Sequence, residues 1–462
     1  MRARTDGRRP YGILGRMKTV DIIGAGLAGT EAALQLADRG VRVRLFEMRP
    51  AVGTPVHTGA GCAELVCSNS FKSMKPESAA GMLKHELSLL GSRLYACALA
   101  SKVDAGGALA VDREAFSRRA TQHVDAHPNI ERIVGEVREP DYERAPDAVI
   151  IASGPLTSDA LAQWISGIAG ADNLAFFDAA APIVAADSLD ESILFRQSRY
   201  EKDAPGDYLN APFSRDSYEA FIDALVSAQR VIMKEFETKD LFQACQPIEE
   251  IARKGVDAPR FGPLKPVGLA DPATGRRPWA AVQLRAENAE KSAYNLVGFQ
   301  TNLTFSEQRR VFRMIPGLEH AEFSRFGVMH RNTFVSAPGL LDRNLRLMRS
   351  LPSPTFIAGQ LAGTEGYCEA IMSGVHVALS VFALIEGRAM PSIPSASSFG
   401  ALLRYATDPA TIDYQPMHVN FGIMPPLPER VGNKRLRYAA YAVRGAAAFE
   451  SYVVELKAAG LL

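Results

Sequence analysis

Residues Thr19–Glu47, reading TVDIIGAGLAGTEAALQLADRGVRVRLFE, constrain this chain more than any other stretch. Thr19–Ile23 is a short apolar run suited to a buried strand, and Gly24, Gly26 and Gly29 follow it as Gly-x-Gly-x-x-Gly. Glu31–Arg39 carries apolar residues at helical spacing among Ala, Leu and Gln. Gly40 ends that helix, and Val41–Glu47 is a second apolar strand that closes on an acid. Each part has a task in holding a dinucleotide: Gly24 allows the tight turn, Gly26 lets the backbone approach a pyrophosphate, and Gly29 lets helix and strand pack closely. The helix N-terminus turns unpaired N–H groups and the positive end of its dipole toward the phosphates. Glu47, about twenty residues on, is placed to accept from ribose hydroxyls, which favours an unphosphorylated ribose. A glycine triplet alone occurs in ordinary turns; with strand, helix, strand and acid in register, the dinucleotide expectation becomes specific.

A second strand–glycine–helix unit lies near the other end of the chain. Thr355–Ala358 reads as a strand, Gly359 and Gly363 as a tight turn, and Tyr367–Ala383 as a long helix whose N-terminus is aimed at the cofactor. Together with the first fingerprint, this favours FAD over a loosely held nicotinamide. Ala148–Gly154 is an apolar strand ending in small residues, like the strand that returns the chain to the sheet in two-dinucleotide flavoproteins. The expected fold is therefore α/β: a Rossmann-like FAD-binding domain of the glutathione-reductase type, with a smaller inserted α/β substrate domain. Residues 17–159 and 351–462 would form the FAD-binding domain with C-terminal helices, and 160–350 the inserted substrate and RNA domain. The expected cofactor contacts are Gly24, Ala25, Gly26, Leu27, Ala28, Gly29 and Glu47 at one end, with Gly359, Gln360 and Gly363 at the other.

Composition narrows the partners. A formal net charge of +1 over 462 residues predicts neither a nucleic-acid binder nor an acidic surface, so any RNA contact must come from local basic patches. No apolar run approaches a membrane span. The five cysteines, Cys62, Cys67, Cys97, Cys245 and Cys368, are scattered, odd in number and without metal-ligand spacing. That suits reduced thiols in a cytosol, and no metal site is expected. Residues 1–16 carry five Arg and no apolar core, so they are not a secretory signal. Met17 directly precedes the first strand, and 1–16 read as a disordered or mis-assigned extension.

Between these landmarks, the stretch after Glu47 is a long Gly-rich polar loop containing Cys67, of a length that is more often functional than idle. Pro76–Leu90 reads as a helix with Leu83, Leu87 and Leu90 toward the core, and Asp112 as the cap of the next helix. Arg253–Arg285 mixes seven basic residues with Phe261 and Trp279 among Pro and Gly, either a solvated loop or an RNA-facing one. Tyr405–Leu427 is aromatic and Pro-rich, and Arg430–Leu461 reads as basic terminal helices.

In order along the chain stand GAGLAGTEAA, AELVCSNSFKS, GGALAVDREAFS, CQPIEEIARKG, EQRRVFRMIPGLEHAEFSRFGVMHRNTFV, AGQLAGTEGYCEA and YQPMHVNFGIMPPLP. Together they closely resemble the bacterial folate/FAD-dependent tRNA (uracil-5-)-methyltransferases, from Met17 to the C-terminus. The sister family, which modifies the tRNA wobble uridine, is longer and carries a helical C-terminal domain that this chain lacks. The resemblance implies C5 methylation of a T-loop uridine in the T-arm of tRNA. The carbon donor would be 5,10-methylenetetrahydrofolate, and FAD would be reduced by NADH or NADPH. The donor carbon arrives at the formaldehyde level, so two electrons must be added to make a methyl group, which explains an FAD fold in a methyltransferase.

The resemblance also implies two catalytic cysteines, which fall on Cys67 in AELVCSNS and Cys245 in FQACQPIEE. Uracil C5 is a poor nucleophile, and a thiolate added at C6 makes it enolate-like. Cys245, in the inserted domain, is assigned to that attack. Cys67 is assigned to the flavin side, as the base that removes the C5 proton or as guard of the flavin-side intermediate; the two roles can be exchanged. Cys62, Cys97 and Cys368 stay structural. Glu249 and Glu250 either orient the uracil or are first-turn acids of a helix. His330 and Arg331 are candidates for folate glutamate or phosphate contact. The same chemistry on ribosomal RNA, and a dithiol flavoprotein oxidoreductase, are the alternatives.

Overall fold

β1 (Thr19–Ile23) is the central strand of a five-stranded parallel sheet in the computed structural model of the chain, which describes residues 16–54, 56–169, 174–199, 206–231, 246–411 and 414–462. At 174–178 and 330–331 the backbone alone is described. β1 pairs with β2 (Arg42–Glu47) on one side and with Ala148–Ile151 on the other, in register Ile22↔Leu45 and Ile22↔Ile150. Thr355–Ile357 and Ile130–Val134 complete the edges. A strand from far along the chain thus lies two places from the first. Between β1 and β2 runs α1 (Leu27–Asp38), buried from Ala28 to Ala37 because its small Ala and Gly residues let it sit against the Tyr367–Ile385 helix. Gly374 on that helix faces the Ala28 backbone so closely that no Cβ fits. The Tyr367–Ile385 helix has the length and apolarity of a membrane span, contrary to the sequence expectation, and 83% of its apolar window is buried within the molecule.

A second, antiparallel sheet has six strands in the order Phe195–Arg196, Tyr208–Phe213, Ala280–Ala286, Ala293–Leu296, Ile183–Ala185 and Phe323–Arg325. Its own core holds Phe213, Tyr218, Phe221, Phe299 and Phe312, separate from the core around the parallel sheet. The paired strands Leu174–Ala179 and Met329–Phe334 lead into and out of this region. A small antiparallel sheet of Ser70–Ser73, Ala108–Val111 and Lys102–Val103 stands beside them.

The helix expected at Pro76–Leu90 spans Ala79–Leu89 with Leu83 and Leu87 fully buried, and Asp112 caps Arg113–Asp125 by accepting from the Ala115 N–H. Glu86 on the Ala79–Leu89 helix accepts from the N–H groups of Ser398 (2.5 Å) and Phe399 (3.0 Å), and so caps the Ser398–Thr407 helix. The chain finishes in one helix, Lys434–Ala458, rather than the several expected. Gly445 is where this helix meets Met82 and the Ala396 carbonyl, too closely for a Cβ. Of the extension expected at 1–16, Arg16 is described and lies 3.5 Å from Asp147; the rest falls outside the described residues.

Candidate functional site

The turn between β1 and α1 opens onto a cleft of about 1210 Å³, its mouth included. Gly24 has φ +102°, and a Cβ there would come within 2.6 Å of the Ala152 carbonyl. Gly29 packs on Gly24, where a Cβ would strike the Gly24 carbonyl. A Cβ at Gly26, by contrast, would meet nothing within 4 Å. Two glycines are needed for packing and the third faces open space, the division of labour a phosphate cradle requires. Leu27, Ala28, Gly359 and Gln360 also line the cleft, and the Gln360 side-chain Nε2 is buried there without a partner among the described residues. Ala25, Gly29 and Gly363 do not line it. Ala25 is fully buried, and Gly363 (φ +80°) packs against the Tyr414 hydroxyl.

Glu47 is 5% exposed and works harder than a ribose acceptor. Its Oε2 accepts from the Ala25 N–H at 3.0 Å, and its Oε1 from the Arg49 N–H (3.1 Å) and Nε (2.8 Å). Burial alone would raise its pKa, but the hydrogen bond and charge of Arg49 outweigh that and hold it below the usual range. Since a carboxylate has about four lone-pair sites, one remains on Oε2.

Arg49 then organises the loop that follows. It donates to Glu64 at 2.7 Å and to the carbonyls of Gly59 and Gly61, and Glu64 accepts from the N–H groups of Thr58 and Gly59. Burial, and next the charge of Arg49, lowers His57 to about 4, so it is neutral at physiological pH. From the far side Arg325 donates to the carbonyls of Val56 and Val66, and Arg113 to those of Leu65 and Cys67. Arg113 is itself paired with Glu287 at 2.5 Å, next to the Ala280–Ala286 strand. Asn69 is fully buried; it donates to the carbonyls of Val111 and Ala286 and accepts from Arg285 at 2.7 Å. The AELVCSN segment is therefore gripped by groups from both sheets.

Cys67 emerges half-buried from this grip onto the cleft wall. Its N–H and that of Ser68 donate to the Tyr367 hydroxyl at 3.1 and 3.0 Å, and that hydroxyl donates to the Ser68 carbonyl at 2.8 Å. Burial pushes the Tyr367 phenol upward, so it keeps the proton that this geometry uses. The Cys67 Sγ lies 3.7 Å from the Ala179 carbonyl. Cys62, Cys97 and Cys368 are buried away from the cleft, and burial raises the thiols of Cys62 and Cys368 to about 11 and 12.

Cys245 lies outside the described residues, as do the side chains of His330 and Arg331. Glu249 and Glu250 begin the Ile248–Arg253 helix. Glu249 is fully buried and accepts from the Thr301 hydroxyl (3.0 Å) and Asn302 N–H (2.6 Å), and burial raises it to about 7. Glu250 pairs with Arg230 at 2.9 Å. Both thus hold local structure. The basic stretch at Arg253–Arg285 divides likewise: Arg285 is a buried strand residue held by Asn69, and Arg260 stacks 3.8 Å from the Trp279 ring centre. Phe261, 75% exposed, is the ring that faces solvent. Sequence reasoning missed Arg49, His57, Asn69, Arg113 and Tyr367. The Tyr in AGTEGYCEA was visible as a motif residue; Asn69 and Arg113 have partners far along the chain, and Arg49 and His57 bond locally within an irregular loop, so none of the four leaves a periodicity to read.

The chain matches the family described as "Glucose inhibited division protein A" over residues 19–389. It is 52% identical to the "Methylenetetrahydrofolate--tRNA-(uracil-5-)-methyltransferase TrmFO" of Geobacter sulfurreducens, over 90% of this chain and 95% of that one. With the protein of the same name from Heliobacterium modesticaldum it shares 50%, over 95% of this chain and 98% of the relative. Among solved structures, Aquifex aeolicus GidA in its form II crystal superposes with a TM-score of 0.67 at 15% identity, covering 95% of this chain and 74% of that one. That likeness speaks for the fold.

Proposed function

This chain belongs to the methylenetetrahydrofolate–tRNA-(uracil-5-)-methyltransferase family, and from that premise we propose how its residues divide the reaction. The enzyme methylates tRNA uracil at C5 with 5,10-methylenetetrahydrofolate as carbon donor and FAD as its flavin. The relatives support neither a ribosomal RNA substrate nor a dithiol oxidoreductase. The T-loop uridine as target, NADH or NADPH as reductant and a cytoplasmic setting belong to the proposal.

The cradle fits FAD: an open Gly26 face, the positive end of α1 and a Gln360 Nε2 without a partner among the described residues converge on one cleft. Gly24, Gly26 and Glu47 would hold the pyrophosphate and ribose end, and Gly359 and Gln360 the far end. When bound, the flavin supplies the two electrons that turn a methylene carbon into a methyl group. The chain's own residues do the rest. The Cys245 thiolate adds to uracil C6 and pushes electron density onto C5, which bonds to the donor carbon as one of that carbon's two bonds to folate nitrogen breaks and the electron pair stays on the nitrogen. Cys67 takes the C5 proton, and the released electron pair expels the second folate nitrogen, freeing tetrahydrofolate and leaving an exocyclic methylene on C5. Once that carbon has gained two electrons and a proton, elimination of the Cys245 thiolate restores the C5–C6 double bond. Tyr367 and Arg113 fix the Cys67 backbone, so the thiol approaches from a set direction.

One observation carries this reading: a half-buried cysteine stands in the wall of the cleft that the glycine turn opens onto. The test uses purified holoenzyme, tRNA lacking T-loop methylation, NADH and methylenetetrahydrofolate. Formation of 5-methyluridine that depends on folate and ignores S-adenosylmethionine is expected. Cys245→Ala should fail to form a covalent adduct with 5-fluorouridine tRNA, and Cys67→Ala should still form it. The reverse pattern exchanges the two roles.

A further inference from the structure

A second groove opens beside the cleft, lined by Lys72, Ser73, His418, Asn420, Phe421 and Tyr438. The two share one helical turn as their partition. Tyr367 holds Cys67 on the cleft side. Two residues on, Glu369 Oε1 accepts from the Val419 N–H at 3.2 Å and lies 3.6 Å from Lys72 Nζ on the groove side.

The outer lip of this groove is basic. From Tyr414 to Phe449 the sequence holds Arg430, Lys434, Arg435, Arg437 and Arg444 against a lone acid, Glu429. In a chain of net charge +1, that imbalance is local. The Lys434–Ala458 helix has no acid in its first turn and places Lys434, Arg435 and Arg437 there, although cations at a helix N-terminus oppose its dipole. Asn433 already caps the Arg435 and Leu436 N–H groups, so the cations serve no capping purpose. Among the described residues the ion pair of this helix is His85–Glu450, turns further along at 3.9 Å. Arg437 and Arg444 donate to neutral carbonyls, of Val431 and of Pro425 and Pro426, which orient them without cancelling their charge.

The cations rest on a ring platform. Phe421 lies 4.3 Å from Tyr438 and 5.3 Å from Tyr441 between ring centres. Lys434 and Arg437 stand over Tyr438, and Arg444 over Tyr441. Half-exposed rings that hold unneutralised cations in fixed positions suit a polyanion with flat bases and sugars better than an acidic peptide. An arrangement that works against its own helix dipole is a local conflict of the kind that marks function.

We propose that this groove and its basic lip are where the phosphate backbone of the tRNA docks, which lets the target nucleotide reach the adjoining cleft. The proposal rests on the tRNA methyltransferase reading. Lys434, Arg435 and Arg437 neutralise phosphates, and the Phe421–Tyr438–Tyr441 platform backs them.

Direct binding of unmodified tRNA to the holoenzyme across a salt series tests it. The variant Lys434→Gln/Arg435→Gln/Arg437→Gln is expected to bind about tenfold or more weakly near physiological salt. The slope of log affinity against log salt should shrink by about three, near one per lost phosphate contact. Lys434→Arg/Arg435→Lys/Arg437→Lys keeps the charge and should bind as wild type does. The flavin spectrum and the KM for folate should not move in either. If the triple variant perturbs folding, Arg435→Gln alone, at an exposed site, should cut the slope by about one. Wild-type tRNA affinity and slope in the Gln variants overturn the proposal, as does a loss confined to self-association or to binding of an acidic peptide. A wild-type enzyme that binds tRNA through this lip but forms no 5-methyluridine would instead remove the reaction and leave the docking site standing.

Discussion

Gly24, Gly26 and Gly29 stand in one turn but meet three different surroundings, so substitution separates them. A side chain at Gly26 enters the open cleft, whereas one at Gly24 meets the Ala152 carbonyl and must also adopt φ +102°. Gly26→Val should leave the melting temperature of the flavin-free protein near wild type. Its FAD affinity should fall by about 1–3 kcal/mol, the usual cost of overpacking, read by flavin fluorescence titration. Gly24→Val should lower the melting temperature of the flavin-free protein itself. Glu86 offers a different residue-scale test. Burial raises it to about 8 from an ordinary 4.5, so the folded state keeps its proton over a range where the unfolded chain has lost it. Its contribution to stability is therefore fully present below about pH 4.5 and is lost as pH rises through about 8. Glu86→Gln, which cannot titrate and gives up one of the two accepting oxygens at the cap, should lower the melting temperature overall but flatten its decline between those limits. A slope equal to wild type would assign the decline to other groups.

At the scale of elements, the loop from Arg49 to Asn69 has little regular structure of its own and is nonetheless firmly held. Arg49 comes from the end of β2, Arg113 from the start of the helix after Asp112, and Arg285, Glu287 and Arg325 from the antiparallel sheet. Arg113→Ala leaves Glu287 buried and unpaired, a change that costs about 3–5 kcal/mol where one partner of a buried pair is removed. The double substitution Arg113→Met/Glu287→Leu should cost less than the single change, which urea unfolding would show as a coupling energy. Cys67 should alkylate faster in Arg113→Ala than in wild type, because two of the carbonyls next to it lose their donor. This loop also marks the limit of what the sequence could say. The elements built on short-range pattern, β1, α1, β2 and the Tyr367–Ile385 helix, lie within a few residues of their expected bounds. The loop's order comes from arginines up to 269 residues away, and no local pattern encodes such a partner.

For the whole molecule, the cleft is assembled from segments around Gly24, Glu47, Cys67, Gly135, Ser153, Asn332 and Gly359. A ligand that binds such a composite stabilises all its walls at once, by about 2.7 kcal/mol when present at a hundred times its dissociation constant. Stripping FAD should lower the melting temperature and speed proteolysis in the 49–69 loop more than elsewhere; equal protection with and without flavin would contradict this. Four of the seven family motifs contribute residues to these walls: the glycine turn, the Cys67 segment, the segment ending at Val335 through Asn332, and the Gly359–Ala370 segment. The fate of the basic stretch was not legible in the sequence, since whether Arg285 meets solvent or Asn69 depends on where an entire sheet sits.

The strand order carries a consequence in time. The edge strand Thr355–Ile357 and the helix that covers α1 lie hundreds of residues after β1. At about 5–20 residues per second, a ribosome needs roughly 20–70 s to travel from the glycine turn to that helix. Through that interval the first βαβ unit has emerged with the covering face of α1 bare and half of its cradle unmade. Completion of the cradle is thereby deferred until the strand Thr355–Ile357, Gly359 and Gln360 have been synthesised, some three-quarters of the way along the chain.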